Sequence, residues 1–233
     1  MNVATAVETL FLDAGGVLVF PNWDRVAGAL AAHDVHVDPR SLARAEPRAK
    51  LRLDRDAVQS KSDAERGWLY FNLILNEAGL SLSDATEAAL ADLRAYHADQ
   101  NLWELVPPDV EPALERLKAL GVKLVVVSNS NGRLRHLFER IRLADRFDVL
   151  FDSFEEGVEK PDPRLFEIAL ERCGARRETT MHVGDLYNVD VVGARAAGLR
   201  AVLLDAASLY EGVDCQRIQS LTELSELLAP TVG

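Results

Sequence analysis

Four short apolar runs punctuate the chain, and each ends on a polar or glycine residue. They are Thr9-Leu10-Phe11-Leu12 before Asp13, Val122-Lys123-Leu124-Val125-Val126-Val127 before Ser128-Asn129, Met181-His182-Val183 before Gly184-Asp185, and Ala201-Val202-Leu203-Leu204 before Asp205. Runs that stay apolar at consecutive positions, rather than alternating, are buried on both faces, which is the pattern of a parallel sheet. A weaker run over residues 147–151 predicts a fifth strand. Between the runs, apolar residues recur at helical spacing. Residues 110–120 carry Leu114, Leu117 and Leu120 and stop at Gly121. Residues 133–141 carry Leu134, Leu137, Phe138 and Ile141, and residues 163–173 carry Leu165, Phe166, Ala169 and Leu170 before Gly174. Segments 189–197 and 221–228 complete the alternation. Strand–helix alternation of this kind predicts an α/β fold, a Rossmann-like doubly wound core of five or six parallel strands.

Residues 20–98 break the alternation. They show helical patterns only, over 23–32, 40–53, 63–78 and 84–98. A block of this size between the first two strands predicts an inserted all-α cap domain over 20–98, within a core made of 1–19 and 99–233. Its hinges are expected near Phe20 and Asn101.

Composition and charge then narrow the function. The 233 residues are 48% hydrophobic and 27% charged, so the chain is neither disordered nor a disulfide scaffold. The two cysteines, Cys173 and Cys215, fit no metal motif and read as reduced thiols. A net charge of -11 disfavours nucleic acid and anionic membrane surfaces as partners. The N-terminus has no basic stretch and no long apolar run, so a cytoplasmic location is expected. The state of assembly is left as monomer or homodimer.

Polar groups directly after the strands carry the chemistry. Ligands of open α/β sheets bind beyond the carboxyl ends of the strands, so Asp13, Ser128 and Asp185 should meet in space. At this point the chain resembles the haloacid dehalogenase superfamily, in the subgroup with a helical cap after the first strand. The resemblance is carried by Phe11-Leu12-Asp13-Ala14-Gly15-Gly16-Val17-Leu18, by Ser128-Asn129, by Glu159-Lys160-Pro161-Asp162-Pro163, and by Gly184-Asp185-Leu186-Tyr187-Asn188-Val189-Asp190 with Gly193-Ala194-Arg195-Ala196-Ala197-Gly198. It implies a phosphohydrolase of a small phosphorylated metabolite. Asp13 is then the nucleophile that becomes an aspartyl-phosphate. Asp185, with Asp13 and the Gly15 carbonyl, holds Mg²⁺. Ser128 and the Asn129 backbone bind phosphate, Lys160 neutralises charge on phosphate and Asp13, and Asp190 supports the metal shell or orients Lys160.

One position departs from the pattern. Most phosphatases of the superfamily have a second Asp two residues after the nucleophile, where this chain has Gly15. That carboxylate protonates the leaving oxygen, a contribution of roughly 10²–10⁴-fold. Its loss points to good leaving groups such as acyl or aryl phosphates, to a proton from another group, or to a non-catalytic phosphate-binding protein. Phosphonate hydrolases and haloacid dehalogenases of the superfamily also lack this Asp. The former use a cap lysine, for which Lys50 and Lys61 are the candidates; the latter have a fourth motif that is not built for a metal, unlike Gly184-Asp185.

Other polar and aromatic residues have plainer readings. His182, within a strand run, is expected to be a satisfied core histidine, and Trp68, Tyr70 and Phe71 to pack the cap. Between Arg40 and Arg66, eight basic residues face five acidic ones. Arg44, Arg48 and Arg52 would share one helix face, either solvated or reaching a substrate anion, with Pro47 a candidate interruption of that helix.

Overall fold

A computed structural model describes residues 6–56 and 63–229. The chain divides into two compact units, one of residues 1–19 and 106–233, the other of residues 20–105. The first unit is a six-stranded sheet built from β1 (Thr9–Leu12), β2 (Lys123–Ser128), β3 (Val149–Asp152), β4 (Thr180–Gly184), β5 (Arg200–Leu204) and β6 (Gln216–Ile218). Its order is β3-β2-β1-β4-β5-β6, and every pairing is parallel. The expected doubly wound α/β core is therefore present. Phe11, Val125, Val127 and Phe151 fill one face of the sheet together with Leu165, Phe166 and Leu170. Residues of the central strands are covered on both sides, which is why their sequences do not alternate.

Two strands differ from the sequence reading. β3 starts at Val149, because residues 144–146 form a short 3₁₀ turn and the Phe147 ring packs at a tilt against Phe138 with centroids 5.6 Å apart. The sixth strand, β6, had no segment assigned to it: it has three residues, of which only Ile218 is buried, so no apolar run announces it.

The other unit holds four helices, α1 (Trp23–Ala31), α2 (Pro39–Asp56), α3 (Asp63–Glu77) and α4 (Asp84–Gln100). They enclose a core of their own around Leu30, Leu42, Phe71, Ile74 and Leu93. Trp68, Tyr70 and Phe71 pack into it with Trp103, as expected. This unit ends at Leu105 rather than at residue 98. Phe20 and Leu105 exchange backbone hydrogen bonds of 2.8 and 3.0 Å, and Trp103 stacks on Tyr70, so residues 99–105 belong with the helices. α2 runs without a break through Pro47. The proline forfeits one hydrogen bond, but Leu42, Ala45, Ala49 and Leu53 are buried on its inner face and hold the helix in place. Arg44, Arg48 and Arg52 lie on its exposed side; Arg44 bonds Ser41 and Arg52 pairs with Glu77. Lys61 lies outside the described residues.

The remaining helices belong to the sheet unit: α5 (Val110–Ala119), α6 (Leu134–Arg140), α7 (Ser153–Glu156), α8 (Pro163–Cys173), α9 (Val192–Ala196) and α10 (Leu221–Leu228). α8 starts where its sequence dictates: Asp162 caps it through the Arg164 N–H, Pro163 occupies the first turn, and Gly174 ends it in the left-handed conformation. The segment expected to be one helix over 189–197 opens instead with a π-helical turn, Tyr187–Val191. Among the described residues, no helix is long and apolar enough to cross a membrane.

Candidate active site

The register of the sheet assembles the site. β1 pairs with β2 at Leu12↔Val126 and with β4 at Leu12↔Val183, so Asp13 emerges level with the ends of both neighbours. Its N–H continues the ladder to the Val183 carbonyl at 2.9 Å. Residues 115 and 172 positions apart in sequence thereby become neighbours: Ser128 hydrogen-bonds the Asp13 carboxylate, and oxygens of Asp13, Asp185 and Asp190 lie within 4.8 Å of one another.

Lys160 reaches the same point from the loop before α8. Its side chain is fully buried, with Nζ 2.9 Å from Asp13 Oδ1 and 2.7 Å from Asp190 Oδ1. Oδ1 of Asp13 also accepts from the Ala14 N–H at 2.8 Å. Asp190 is equally buried and fully engaged: Oδ1 meets His182 Nε2 at 3.1 Å, and Oδ2 accepts from the Leu186 N–H at 3.0 Å.

The electrostatics follow from burial competing with this pairing. Burial pushes the Asp13 carboxyl above the usual carboxylate range, because the Lys160 charge offsets only part of the lost hydration and the Asp190 charge adds to the cost. Burial also opposes charge on Lys160, but the two carboxylates outweigh it and hold the ammonium well above its ordinary pKa. For Asp190, burial is outweighed by Lys160 and His182, and its carboxyl stays well below the ordinary range. Lys160 and Asp190 are thus a charged pair, and three carboxylates around one ammonium leave two negative charges uncompensated.

That surplus, and an all-oxygen donor set, suits a hard divalent cation such as Mg²⁺. Two glycines make room for the carboxylates. Gly16 has φ +73°, and a Cβ there would lie 1.9 Å from Asp185 Oδ2. A Cβ on Gly184 would lie 2.1 Å from Asp190 Cγ. Gly16→Ala is expected to weaken cation binding by about tenfold or more, by displacing Asp185. Calorimetric titration with Mg²⁺ checks this; unchanged affinity would mean that the carboxylate has room to move. Gly15, on the same turn, stands where a side-chain acid is expected. The hydrogen bonds of this turn, Gly16 N–H to Val19 and Leu18 and Val19 N–H to Ala14, do not use the Gly15 carbonyl.

The loop after β2 is gripped from two sides. Asn129 and Lys160 form a reciprocal pair: the Lys160 N–H donates to Asn129 Oδ1 at 2.7 Å, and Asn129 Nδ2 donates to the Lys160 carbonyl at 2.9 Å. On the other side, three successive residues leaving β3 each hold an alternate loop residue. Asp152 accepts from the Leu134 N–H, Ser153 Oγ accepts from the Ser130 N–H, and the Phe154 ring lies where a Cβ on Gly132 would be 2.8 Å away. The sequence reading placed a phosphate contact at the Asn129 backbone; it did not foresee the side chain's tie to Lys160, nor the roles of Asp152, Ser153 and Phe154. No local pattern marks them, because their partners come from other segments. Lys50, a candidate lysine on α2 of the helical unit, is paired with Glu46 at 3.4 Å, and Glu46 also accepts from the Tyr70 hydroxyl.

A family model for haloacid dehalogenase-like hydrolases matches residues 7–198. The chain belongs to this family. Among similar proteins, a haloacid dehalogenase-like hydrolase domain-containing protein 3 of Danio rerio is 37% identical over 126 residues, 52% of each chain. The chain spans about half the length of the Danio rerio and Bos taurus relatives it matches. A ribulose-1,5-bisphosphate 5-phosphatase of Halopiger xanaduensis is 31% identical over 82% of this chain and 84% of its own. The fold of this haloacid dehalogenase-like chain is shared with the HAD-hydrolase YfnB of Bacillus subtilis, solved bound to magnesium, at TM-score 0.70 and 18% identity over 97% and 100% of the two chains.

Proposed function

We propose that this haloacid dehalogenase-like hydrolase is a Mg²⁺-dependent phosphatase of a small phosphorylated metabolite, working through an aspartyl-phosphate on Asp13. One observation carries the reading: a fully buried Lys160 ammonium held between Asp13 and Asp190, beside Asp185, at the carboxyl ends of the strands. The phosphatase relative from Halopiger xanaduensis supports the same reaction class.

Asp13 attacks phosphorus, forming an Oδ–P bond as the bond to the leaving oxygen breaks and that oxygen departs with the electron pair. Water then attacks phosphorus, releases inorganic phosphate and returns the Asp13 carboxylate. Lys160 offsets negative charge on Asp13 and on the phosphoryl oxygens, and Ser128 and the Asn129 backbone hold those oxygens. Asp190 keeps Lys160 in place. Mg²⁺, when bound by Asp13, Asp185 and the Gly15 carbonyl, supplies further charge neutralisation. The helical unit serves as a cap that selects the substrate.

Gly15 sets the leaving-group preference. It offers no proton, so substrates whose leaving group departs as a stable anion are favoured. Acetyl phosphate is expected to be hydrolysed with Mg²⁺, and turnover to vanish with EDTA. A sugar phosphate is expected to react slowly, and Gly15→Asp to raise that rate by up to about 10²–10⁴-fold. No gain in a variant that still folds and binds Mg²⁺ sinks the leaving-group argument. Turnover of the esters that ignores EDTA sinks the metal, and release of halide from a haloacid without metal would favour dehalogenation instead.

A further inference from the structure

His182 plays no part in the reaction above, yet it is completely buried and touches the machinery on two sides. Nδ1 lies 3.1 Å from the carbonyl of Phe11, two residues before the nucleophile on β1. Nε2 lies 3.1 Å from Asp190 Oδ1, the atom that also holds Lys160. The Phe166 ring meets the imidazole edge-on with centroids 4.8 Å apart, which fixes its plane. A neutral histidine offers one donor and one acceptor nitrogen; here both nitrogens face oxygen acceptors, one on the strand that bears Asp13 and one on the carboxylate that anchors Lys160.

We propose that His182 is a positioning residue for Lys160. It donates from Nε2 to Asp190, fixing the carboxylate that aims the ammonium at Asp13, while Nδ1 lies against the Phe11 carbonyl of β1. This rests on the phosphatase reading for its effect on turnover, but its geometric content stands separately.

Two substitutions separate positioning from packing. Glutamine can place its Nε2 where the histidine Nε2 stands, keeping the Asp190 contact and losing the Phe11 one. Asparagine imitates Nδ1 and does the reverse. Each keeps one of the ring's two polar contacts and gives up the other, so a merely structural role predicts similar effects. We expect His182→Gln to hydrolyse acetyl phosphate with Mg²⁺ within about threefold of the parent, and His182→Asn to lose about tenfold or more in kcat/KM. Melting temperatures of the two are expected to be similar. The ¹⁵N resonance of the Lys160 ammonium should move in the Asn variant and stay in the Gln variant. Equal losses, or an unmoved Lys160 resonance in His182→Asn, would overturn the proposal. If the parent hydrolyses no acetyl phosphate, the phosphatase reading suffers, and the Lys160 resonance still decides this one. Should the Asn variant fail to fold, the parent provides the check: a cross-relaxation peak between the His182 Nε2 proton and the Lys160 ammonium is expected, and its absence overturns the inference.

Discussion

Lys160→Met is expected to remove turnover and to lower folding stability by about 3–5 kcal/mol, the cost of breaking a buried ion pair by deleting one partner. Methionine fills much of the same volume, so the loss is electrostatic rather than a cavity. Asp190 is fully buried and would keep only His182 and the Leu186 N–H. Its carboxyl is held below the ordinary range chiefly by Lys160 against the cost of burial. A carboxylate depressed in the folded state contributes stability above its unfolded pKa of about 3.9, and loses it as the pH falls toward the folded value. The raised Lys160 ammonium contributes stability that is present below its unfolded pKa of about 10.4. The gap between variant and parent should therefore be full from about pH 5 to 9 and shrink in acid. Urea unfolding at pH 7 and pH 3.5 measures it. A gap below about 1 kcal/mol at pH 7 would mean that water or rearrangement replaces the ammonium.

Asp13→Asn should show the opposite combination. Turnover is expected to fall by about 10³-fold or more, because an amide cannot form the aspartyl-phosphate. Stability should hold or rise. Burial raises the Asp13 carboxyl above its ordinary range, so at neutral pH its ionised form works against the fold. The amide oxygen can still accept from Lys160 and from the Ala14 N–H, which now meet Oδ1. On the proposed mechanism, the less stable arrangement at this position is retained because the reaction needs the carboxylate. A melt below that of the parent by more than about 4 °C, or activity above about a tenth of it, would count against this account.

The sequence by itself determined the kind of sheet and where its chemistry would lie. Runs such as Leu124–Val127 are apolar at consecutive positions, and only strands covered on both faces need that composition. A parallel sheet puts its carboxyl ends on one edge, so Asp13, Ser128 and Asp185 were legible as neighbours before any coordinates. Helix starts were legible where a local cap exists, as at Asp162-Pro163. Tertiary structure decided what depends on partners distant in the chain. β6 has one buried residue and forms because β5 offers an edge to pair with. α2 passes through Pro47 because packing on its inner face outweighs one missing hydrogen bond. Residues 99–105 join the helical unit because Phe20 and Leu105 bond across 85 positions. Asp190 read as a metal supporter or an orienter of Lys160; only the geometry shows its oxygens engaged by Lys160, His182 and the Leu186 N–H. Spacing along a chain reports which face a residue occupies, whereas the partner of a buried charge is set by how separate strands come into register.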